Sequence, residues 1–447
     1  MNNSRRKFIK KSAAGLAAVY AGGMLPTFTA RSYARIKGAN EKVRVSVMGV
    51  NSRGYAHVQN FSKQDNCEVI HICDVDSRAA MKAVKKVEEI SGNKPKPFTD
   101  FRRSLDSGET DALVIAAPDH WHTPAAVLAL KAGKHVYVEK PCSHNPAEGE
   151  LLVAAAGKYG KAVQMGNQRR SWPTVMRGIE ELKAGIIGKP YFGKSWYANN
   201  RPSIGTGKTV PVPDWLNWEL WQGPAPRSSY KDNVVHYNWH WFWKWGTGEA
   251  LNNGTHMIDL LRWGFGVDYP VRVSSNGGRY RYKDDWETPD TQVISLDFGN
   301  NITMTWEGRS CNGRPVNGSS VGVIFYGEKG SLFIPGGDKY TVYDLDGKII
   351  KEVSSENKVD PLNTSNPAGG LDGFHIRNFL NNIRNGEKLN ADILSGHKST
   401  LLVQLGNIAQ RREHSLDIDA TDGHILNDPQ ASRLWQREYE KGWEVSI

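Results

Sequence analysis

Between Lys42 and about Gly160 the chain alternates short apolar runs with longer stretches of helical periodicity. The run Val43-Arg44-Val45-Ser46-Val47-Met48 reads as a buried strand, residues 55–64 as a helix and residues 68–73 as a second strand. Residues 77–90 form a lysine-rich amphipathic pattern, and residues 112–117, 123–132 and 135–138 continue the alternation of strand and helix. Repetition of this kind predicts a parallel sheet with right-handed crossovers.

After about Lys161 the texture changes. Longer β-patterned runs cover residues 271–282, 291–298, 302–308 and 321–326, and two helical patterns follow at 371–385 and 396–412. The fold class predicted is therefore α/β: an N-terminal Rossmann domain over residues 40–160, then an α+β domain over residues 161–447 with a large, mostly antiparallel open sheet. Residues 198–248 show little periodicity and many Pro, Gly and Trp residues, the texture of long functional loops. Ten of the fifteen tryptophans fall between Trp172 and Trp263.

The first 34 residues stand apart. Ser4-Arg5-Arg6-Lys7-Phe8-Ile9-Lys10 is a twin-arginine run, followed by an Ala/Gly-rich stretch and by Ser32-Tyr33-Ala34 at a cleavage-like position. This resembles a twin-arginine export signal and predicts a periplasmic protein; the bland reading is a basic, irregular arm. The apolar stretch is too short and glycine-rich for a spanning helix, and no later segment qualifies, so stable membrane insertion is not expected. Residues 1–34 hold six Lys/Arg and no acid, so without them the formal charge of +10 falls to +4. That residue of charge calls for no nucleic-acid partner. The four cysteines and the thirteen histidines lack metal-ligand spacing, so no metal site is expected.

Gly49-Val50-Asn51-Ser52-Arg53-Gly54 follows the first strand and opens a helix. A tight strand-to-helix turn aims backbone N–H groups and the helix dipole at a pyrophosphate. Asn51 stands where glycine is usual, which weakens the motif taken alone. Asp74, twenty residues beyond Gly54, ends the second strand where an acid accepts hydrogen bonds from the adenosine ribose. A carboxylate there repels a 2′-phosphate, so NAD is favoured; nearby Ser77 and Arg78 leave NADP open. The alternative makes Asp74 a helix cap.

Ala117-Pro118-Asp119-His120-Trp121-His122 and Val138-Glu139-Lys140-Pro141, with Gly254-Thr255-His256-Met257-Ile258-Asp259, resemble stretches of the glucose–fructose oxidoreductase/inositol dehydrogenase (Gfo/Idh/MocA) family. The resemblance implies roles residue by residue. Asp119 to His122 would run beside the nicotinamide half of the cofactor, with Glu139 at the carboxyl end of its strand. Lys140 would hydrogen-bond the reacting hydroxyl, and His256 would take or return its proton. Asn167 matches a position that contacts cofactor or substrate. Read without the resemblance, a strand-end Lys-Pro is a surface turn and a lone helical histidine a packing residue. Members often carry Asp four residues before that histidine; here the residue is Asn252, so either the relay is simplified or Asp259 or Glu249 substitutes. The resemblance also implies a homodimer or homotetramer.

His236-Tyr237-Asn238-Trp239-His240-Trp241-Phe242-Trp243-Lys244-Trp245 is dense in aromatics, whose faces stack on sugar C–H groups. His236, Trp239 and His240, with Trp172, Arg170 and Asn252, are the candidate substrate contacts; burial against the sheet or a neighbouring subunit is the alternative for the tryptophans. An exported enzyme has no pool of free dinucleotide, so the cofactor is expected to be tightly held and recycled within the site. Three functions follow: an oxidoreductase acting on a sugar, glycoside or inositol-like hydroxyl; a redox-neutral glycosidase or lyase working through a transient keto-sugar; or a non-catalytic sugar-binding protein.

Overall fold

Burial on both faces turns the short apolar runs of the first third into the centre of a parallel sheet. A computed structural model describes residues 42–356 and 369–447; the twin-arginine stretch lies outside the described residues. The six strands are β1 (Val43–Met48), β2 (Cys67–Cys73), β3 (Lys96–Phe98), β4 (Ala112–Ile115), β5 (His135–Val138) and β6 (Val163–Met165), in the order β3-β2-β1-β4-β5-β6. All adjacent pairs are parallel. The chain winds outward from β1 to β3 and then returns to β4 beside β1. That reversal opens a crevice at the strands' carboxyl ends, the ordinary ligand position in such a sheet.

Local chemistry sets the helix ends. Asp76 accepts hydrogen bonds from Arg78 N and Ala79 N at the start of helix Ser77–Ser91, and Gly92, at φ +73°, ends it in the left-handed region. Two expectations need correcting. Residues 119–122 are the first turn of helix Asp119–Lys131 and not a loop ahead of a helix at 123. The short strands β3 and β6 escaped the sequence pattern because three residues are too few for a periodicity.

The second sheet has nine strands: β7 (Pro190–Ala198), β8 (Arg272–Gly278), β9 (Thr291–Asp297), β10 (Thr303–Arg309), β11 (Val321–Gly327), β12 (Gly330–Pro335), β13 (Lys339–Tyr343), β14 (Ile349–Ser354) and β15 (Leu416–Asp417). Their order is β14-β13-β12-β11-β7-β10-β9-β8-β15, antiparallel except for the β7–β10 pair. Along β10, Met304 and Trp306 point into the core with alternate residues half-exposed, the period of two that a one-sided sheet requires. Helices Pro173–Lys183, Thr255–Phe265 and Ile393–Arg412 pack on that buried face. The α/β class with two unlike sheets is as the sequence predicts.

The tryptophan-rich segment is mostly a core of its own. Trp218, Trp221 and Trp245 pack with Leu216, Tyr230, Val234 and Phe242. The segment is fastened to the carboxyl edge of the parallel sheet by backbone bonds Ser77 N to Trp215 O, Asn217 N to Val75 O and His120 N to Trp245 O. It thereby roofs the crevice.

Candidate active site

The crevice is one cleft of about 1830 Å³, open solvent at its mouth included. At one end stand Gly49, Asn51, Ser52, Arg53 and Asp74; at the other Lys140, Trp172, Trp239, His240, Asn252 and His256, with Asp119, His122 and Glu139 between, and His236 also on the wall. Gly49 and His256, 207 residues apart in sequence (256 − 49), therefore share one cleft. Gly54, Asn167 and Arg170 are not in it.

The glycine turn is dictated by contact. Gly49 sits at φ +78°, and a Cβ on it would lie 2.5 Å from Ala117 N. A Cβ on Gly54 would lie 1.7 Å from Gly49 O, so Gly54 serves the closeness of strand and helix and does not itself line the cleft. Among the described residues no side chain caps the first turn of helix Arg53–Ser62, and an anion is the ordinary partner for such N–H groups. Asp74 accepts from Val50 N at 2.6 Å and Asp76 N at 2.8 Å, which aims its carboxylate at the cleft; Asp76, not Asp74, is the helix cap. Glycine turn, uncapped helix and oriented carboxylate fit an adenine dinucleotide.

Two cofactor candidates are engaged otherwise than expected. The Arg53 guanidinium lies 2.9 Å from Glu139 Oε1 and 2.7 Å from Asp372 Oδ2, so its charge is spent on two carboxylates. Glu139 Oε1 also meets His57 Nε2 at 2.6 Å and Gln168 Nε2 at 2.8 Å. Burial would raise the Glu139 carboxyl, but Arg53 and His57 hold it well below the usual range. Burial, aided by Arg53, keeps His57 below its ordinary value. Asp119 accepts from Thr247 Oγ1 at 2.5 Å, and burial pushes its carboxyl up. The His122 ring nitrogens face Pro141 O at 2.5 Å and Ala117 O at 2.8 Å, tying the two family-like stretches together.

At the far end, Lys140 Nζ donates to Asn252 O at 2.5 Å and to Asn252 Oδ1 at 3.1 Å. Burial lowers the ammonium below the ordinary lysine value, with Glu139 and Asp119 opposing. His256 lines the same wall, and burial holds it well below the ordinary histidine value. Its Nδ1 is sealed without a partner among the described residues, which leaves Nε2 as the ring nitrogen toward the cleft. Of the acids considered for the missing aspartate, Asp259 is ruled out, because it pairs with Arg170 and accepts from Ser399 Oγ at 2.6 Å. Glu249 stands beside the site instead. It accepts from Asn252 Nδ2 at 3.3 Å, from the Asn253 amide and from Arg201 Nε at 2.7 Å.

The substrate candidates separate. Trp239 stacks on His240 with ring centres 3.6 Å apart, and the His240 Nδ1 meets Tyr237 O at 2.5 Å; both line the cleft, as does Trp172. His236 does not join them chemically: its Nε2 is 2.8 Å from Asp76 Oδ2, which puts it beside the end of β2 at the dinucleotide end. Arg170 is buried in a two-bond pair with Asp259 at 2.8 Å each. Its neighbour Arg169 lines the cleft. Residues Gln168–Ser171 form one 3₁₀ turn, where successive side chains diverge by a third of a circle. Asn167 lies behind the wall with both amide atoms unpartnered among the described residues. Arg169, Tyr237, Asn253 and Asp372 line the cleft and were not anticipated; no local pattern marks them. Tyr237 holds φ +86°, a conformation that costs a bulky residue on the order of 1–3 kcal/mol and recurs at binding sites.

Residues 43–167 match the oxidoreductase family's NAD-binding Rossmann fold, and residues 221–418 match its C-terminal alpha/beta domain. A glycosyl hydrolase family 109 protein of Saccharopolyspora erythraea is 28% identical over 253 residues, covering 51% of this chain and 55% of that protein; the match thus spans about half of that relative. Glycosyl hydrolase family 109 protein 1 of Shewanella sp. (strain MR-4) is 27% identical, covering 88% of this chain and 90% of that protein. Among solved structures, an oxidoreductase domain protein from Kribbella flavida superposes with a TM-score of 0.65 at 20% identity, over 85% of this chain and 99% of that one. The WlbA dehydrogenase from Bordetella pertussis, in complex with NADH and UDP-GlcNAcA, superposes with a TM-score of 0.61 at 20% identity over the same shares. At such identity the two structures establish the fold. The chain belongs to the Gfo/Idh/MocA oxidoreductase family, with an NAD-binding Rossmann fold followed by that family's C-terminal α/β domain.

Proposed function

We propose that this protein is an NAD-dependent oxidoreductase acting on a hydroxyl of a sugar, glycoside or inositol-like molecule. The observation that carries the reading is a single cleft with a dinucleotide-type turn and Asp74 at one end and Lys140 and His256 at the other. Bound NAD supplies a hydride acceptor or donor. The chain's own residues do the rest. Lys140, anchored on both oxygens of Asn252, donates a hydrogen bond to the reacting oxygen and favours its anionic form. His256, kept neutral by burial, takes the hydroxyl proton at Nε2 and returns it in the reverse direction. The Trp239–His240 stack offers a flat face to a sugar ring, with the buried Trp172 in the same wall, while the roofing segment covers the site.

The redox-neutral reading has its own support, in the glycosyl hydrolase family 109 names of relatives that cover most of this chain. There the hydroxyl-bearing carbon would pass its hydride to the bound NAD and later take it back. The transient ketone would make the neighbouring C–H acidic, and that proton and the aglycone would be lost by elimination. Water would add to the resulting enone before the hydride returned, with Lys140 and His256 managing the hydroxyl proton. The proposal extends to place: residues 1–34 act as a twin-arginine signal, the folded protein is exported to the periplasm with its cofactor aboard, and the second-domain sheet mediates a homodimer or homotetramer.

Purification of the mature chain without added cofactor, followed by denaturation and mass spectrometry, tests this. Stoichiometric NAD(H) is expected; NADP(H) would mean Asp74 was misassigned. No dinucleotide, together with no binding of added NAD or NADP, would overturn the oxidoreductase reading and favour a non-catalytic sugar-binding protein. Incubation of loaded protein with glycosides then separates the two chemistries: a change in nicotinamide absorbance marks net oxidation, and aglycone release without one marks the redox-neutral route.

A further inference from the structure

Arg169 is 7% exposed, and it has no carboxylate within ion-pair distance and no side-chain hydrogen bond among the described residues. Its Nε is sealed from solvent without a partner among the described residues; Arg169 lines the cleft, its guanidinium carbon 5.0 Å from the centre of the Trp172 ring. A buried, uncompensated guanidinium is expensive, and most proteins remove the cost with a paired acid. The nearby carboxylates are held by other arginines. Asp372 Oδ2 and Glu139 Oε1 meet Arg53, and Glu249 meets Arg201; Asp372 Oδ1 is buried without a partner among the described residues, yet Asp372 does not reach ion-pair distance of Arg169. The other arginines beside the site, the half-buried Arg53 and the buried Arg170 and Arg201, are each paired, so Arg169 is the exception. Burial and the neighbouring Arg53 charge lower it to about 10, with Asp372 opposing.

We propose that Arg169 is an anion subsite of the substrate pocket and that the substrate is a sugar acid or a glycoside of one, its carboxylate held by this guanidinium while its hydroxyl faces Lys140 and His256. This rests on the oxidoreductase or redox-neutral reading of the same cleft. The planar fork of a guanidinium matches a carboxylate in two parallel bonds. One uncommitted cation suits a monoanion better than a phosphate dianion: Lys140 is held by Asn252 and Arg53 by two acids, which leaves Arg169 as the uncommitted arginine or lysine of the cleft wall among the described residues. The position also explains the arrangement of Arg169 and Arg170. Their 3₁₀ turn sends one charge into a structural pair and the other into the pocket.

The test is calorimetric titration of the dinucleotide-loaded protein with matched ligands: methyl β-D-glucuronide against methyl β-D-glucoside, galacturonate against galactose, and glucose 6-phosphate against glucose. At least one acid should bind on the order of tenfold more tightly than its neutral counterpart, the scale of a hydrogen bond to a charged group. In Arg169→Gln that ratio should fall to near one, and in Arg169→Lys it should recover in part. Wild-type ratios need no variant to fold, so the first comparison stands by itself. Equal affinity within every acid–neutral pair, or an acid preference that survives Arg169→Gln, would overturn the subsite. A phosphate ester that outbinds both acids would overturn the carboxylate assignment. Failure of the functional reading is a separate result, seen earlier as the lack of any bound dinucleotide.

Discussion

Two buried charge clusters line the same cleft and differ in how completely they are closed. Around Glu139, the Arg53, His57 and Gln168 side chains converge within 2.9 Å, and Asp372 holds the other side of Arg53. Around Lys140, the hydrogen-bond partner is the neutral Asn252, which in turn donates to Glu249, while Arg169 nearby has no acid within ion-pair distance among the described residues. A closed cluster fixes geometry, because every charge has a partner only the native state supplies. An open cluster keeps its hydrogen bonds and charge for a ligand. The first holds the second in place through the adjacent residues Glu139 and Lys140, and this division separates what should fail on folding from what should fail on turnover.

The sharpest test of that division is Lys140→Met, which removes the donor at the reacting oxygen. Turnover should fall by about 10² to 10⁴-fold, the usual worth of a positioned proton-handling group, with the thermal midpoint little changed. A midpoint that falls together with the rate would mean that the two clusters are one structural unit. Next in size is Glu139→Ala, which takes from His57 and Gln168 their shared partner and leaves Arg53 to Asp372 alone. A loss of about 3–5 kcal/mol is expected in denaturant unfolding, the cost of breaking a buried pair on one side. Arg170→Gln should lose stability on a similar scale by stranding Asp259, yet leave ligand affinity alone, in contrast to Arg169.

Acidification probes the closed cluster with a smaller effect. The folded state keeps His57 below its ordinary value, so the unfolded chain takes up that proton first, and stability is present above about pH 6.5 and declines below it. Glu139 is depressed in the folded state, so its contribution is present above about pH 4.3 and is lost as pH falls through the folded value. Unfolding followed across this range should show both limbs, and Glu139→Gln should flatten the lower one. The smallest effect belongs to His236→Gln. Its pair with Asp76 is partly solvated, so a change of about 0.2–1 kcal/mol is expected, visible as a few-fold weaker hold on dinucleotide and not as a change in sugar affinity. A change confined to sugar binding would return His236 to the substrate end.

The legible parts of the site were those governed by neighbours in the chain. Gly49 and Gly54 answer to the clash between one turn and the next strand, and Asp74 to the end of its own strand; spacing alone brings these to one place. The tryptophans were only half legible. Trp239 and Trp172 reach the cleft, but Trp218, Trp221 and Trp245 bury one another, and aromatic density is the same signal for both fates. Arg170, the expected contact, is turned away and its neighbour Arg169 lines the cleft, because a single 3₁₀ turn decides which of two identical residues points where. The substitution of Asn252 for an acid was visible, whereas its consequence was not: Glu249 reaches it across a π-helical turn, Ala250–Gly254, that has no sequence signature.

The sequence by itself determined the two sheets and the dinucleotide turn, because periodicity, glycine sterics and strand-end position act over a few residues; the family, and with it Lys140 and His256 as candidates, came from the resemblance of three short stretches. Tertiary structure alone decided which charges are paired, which acid stands behind Asn252, and that Arg169 lines the cleft with no ion pair among the described residues. Those outcomes depend on side chains that approach across more than a hundred residues, as Lys140 and Asn252 do, and a buried charge is stabilised only by whatever partner the completed fold brings within reach.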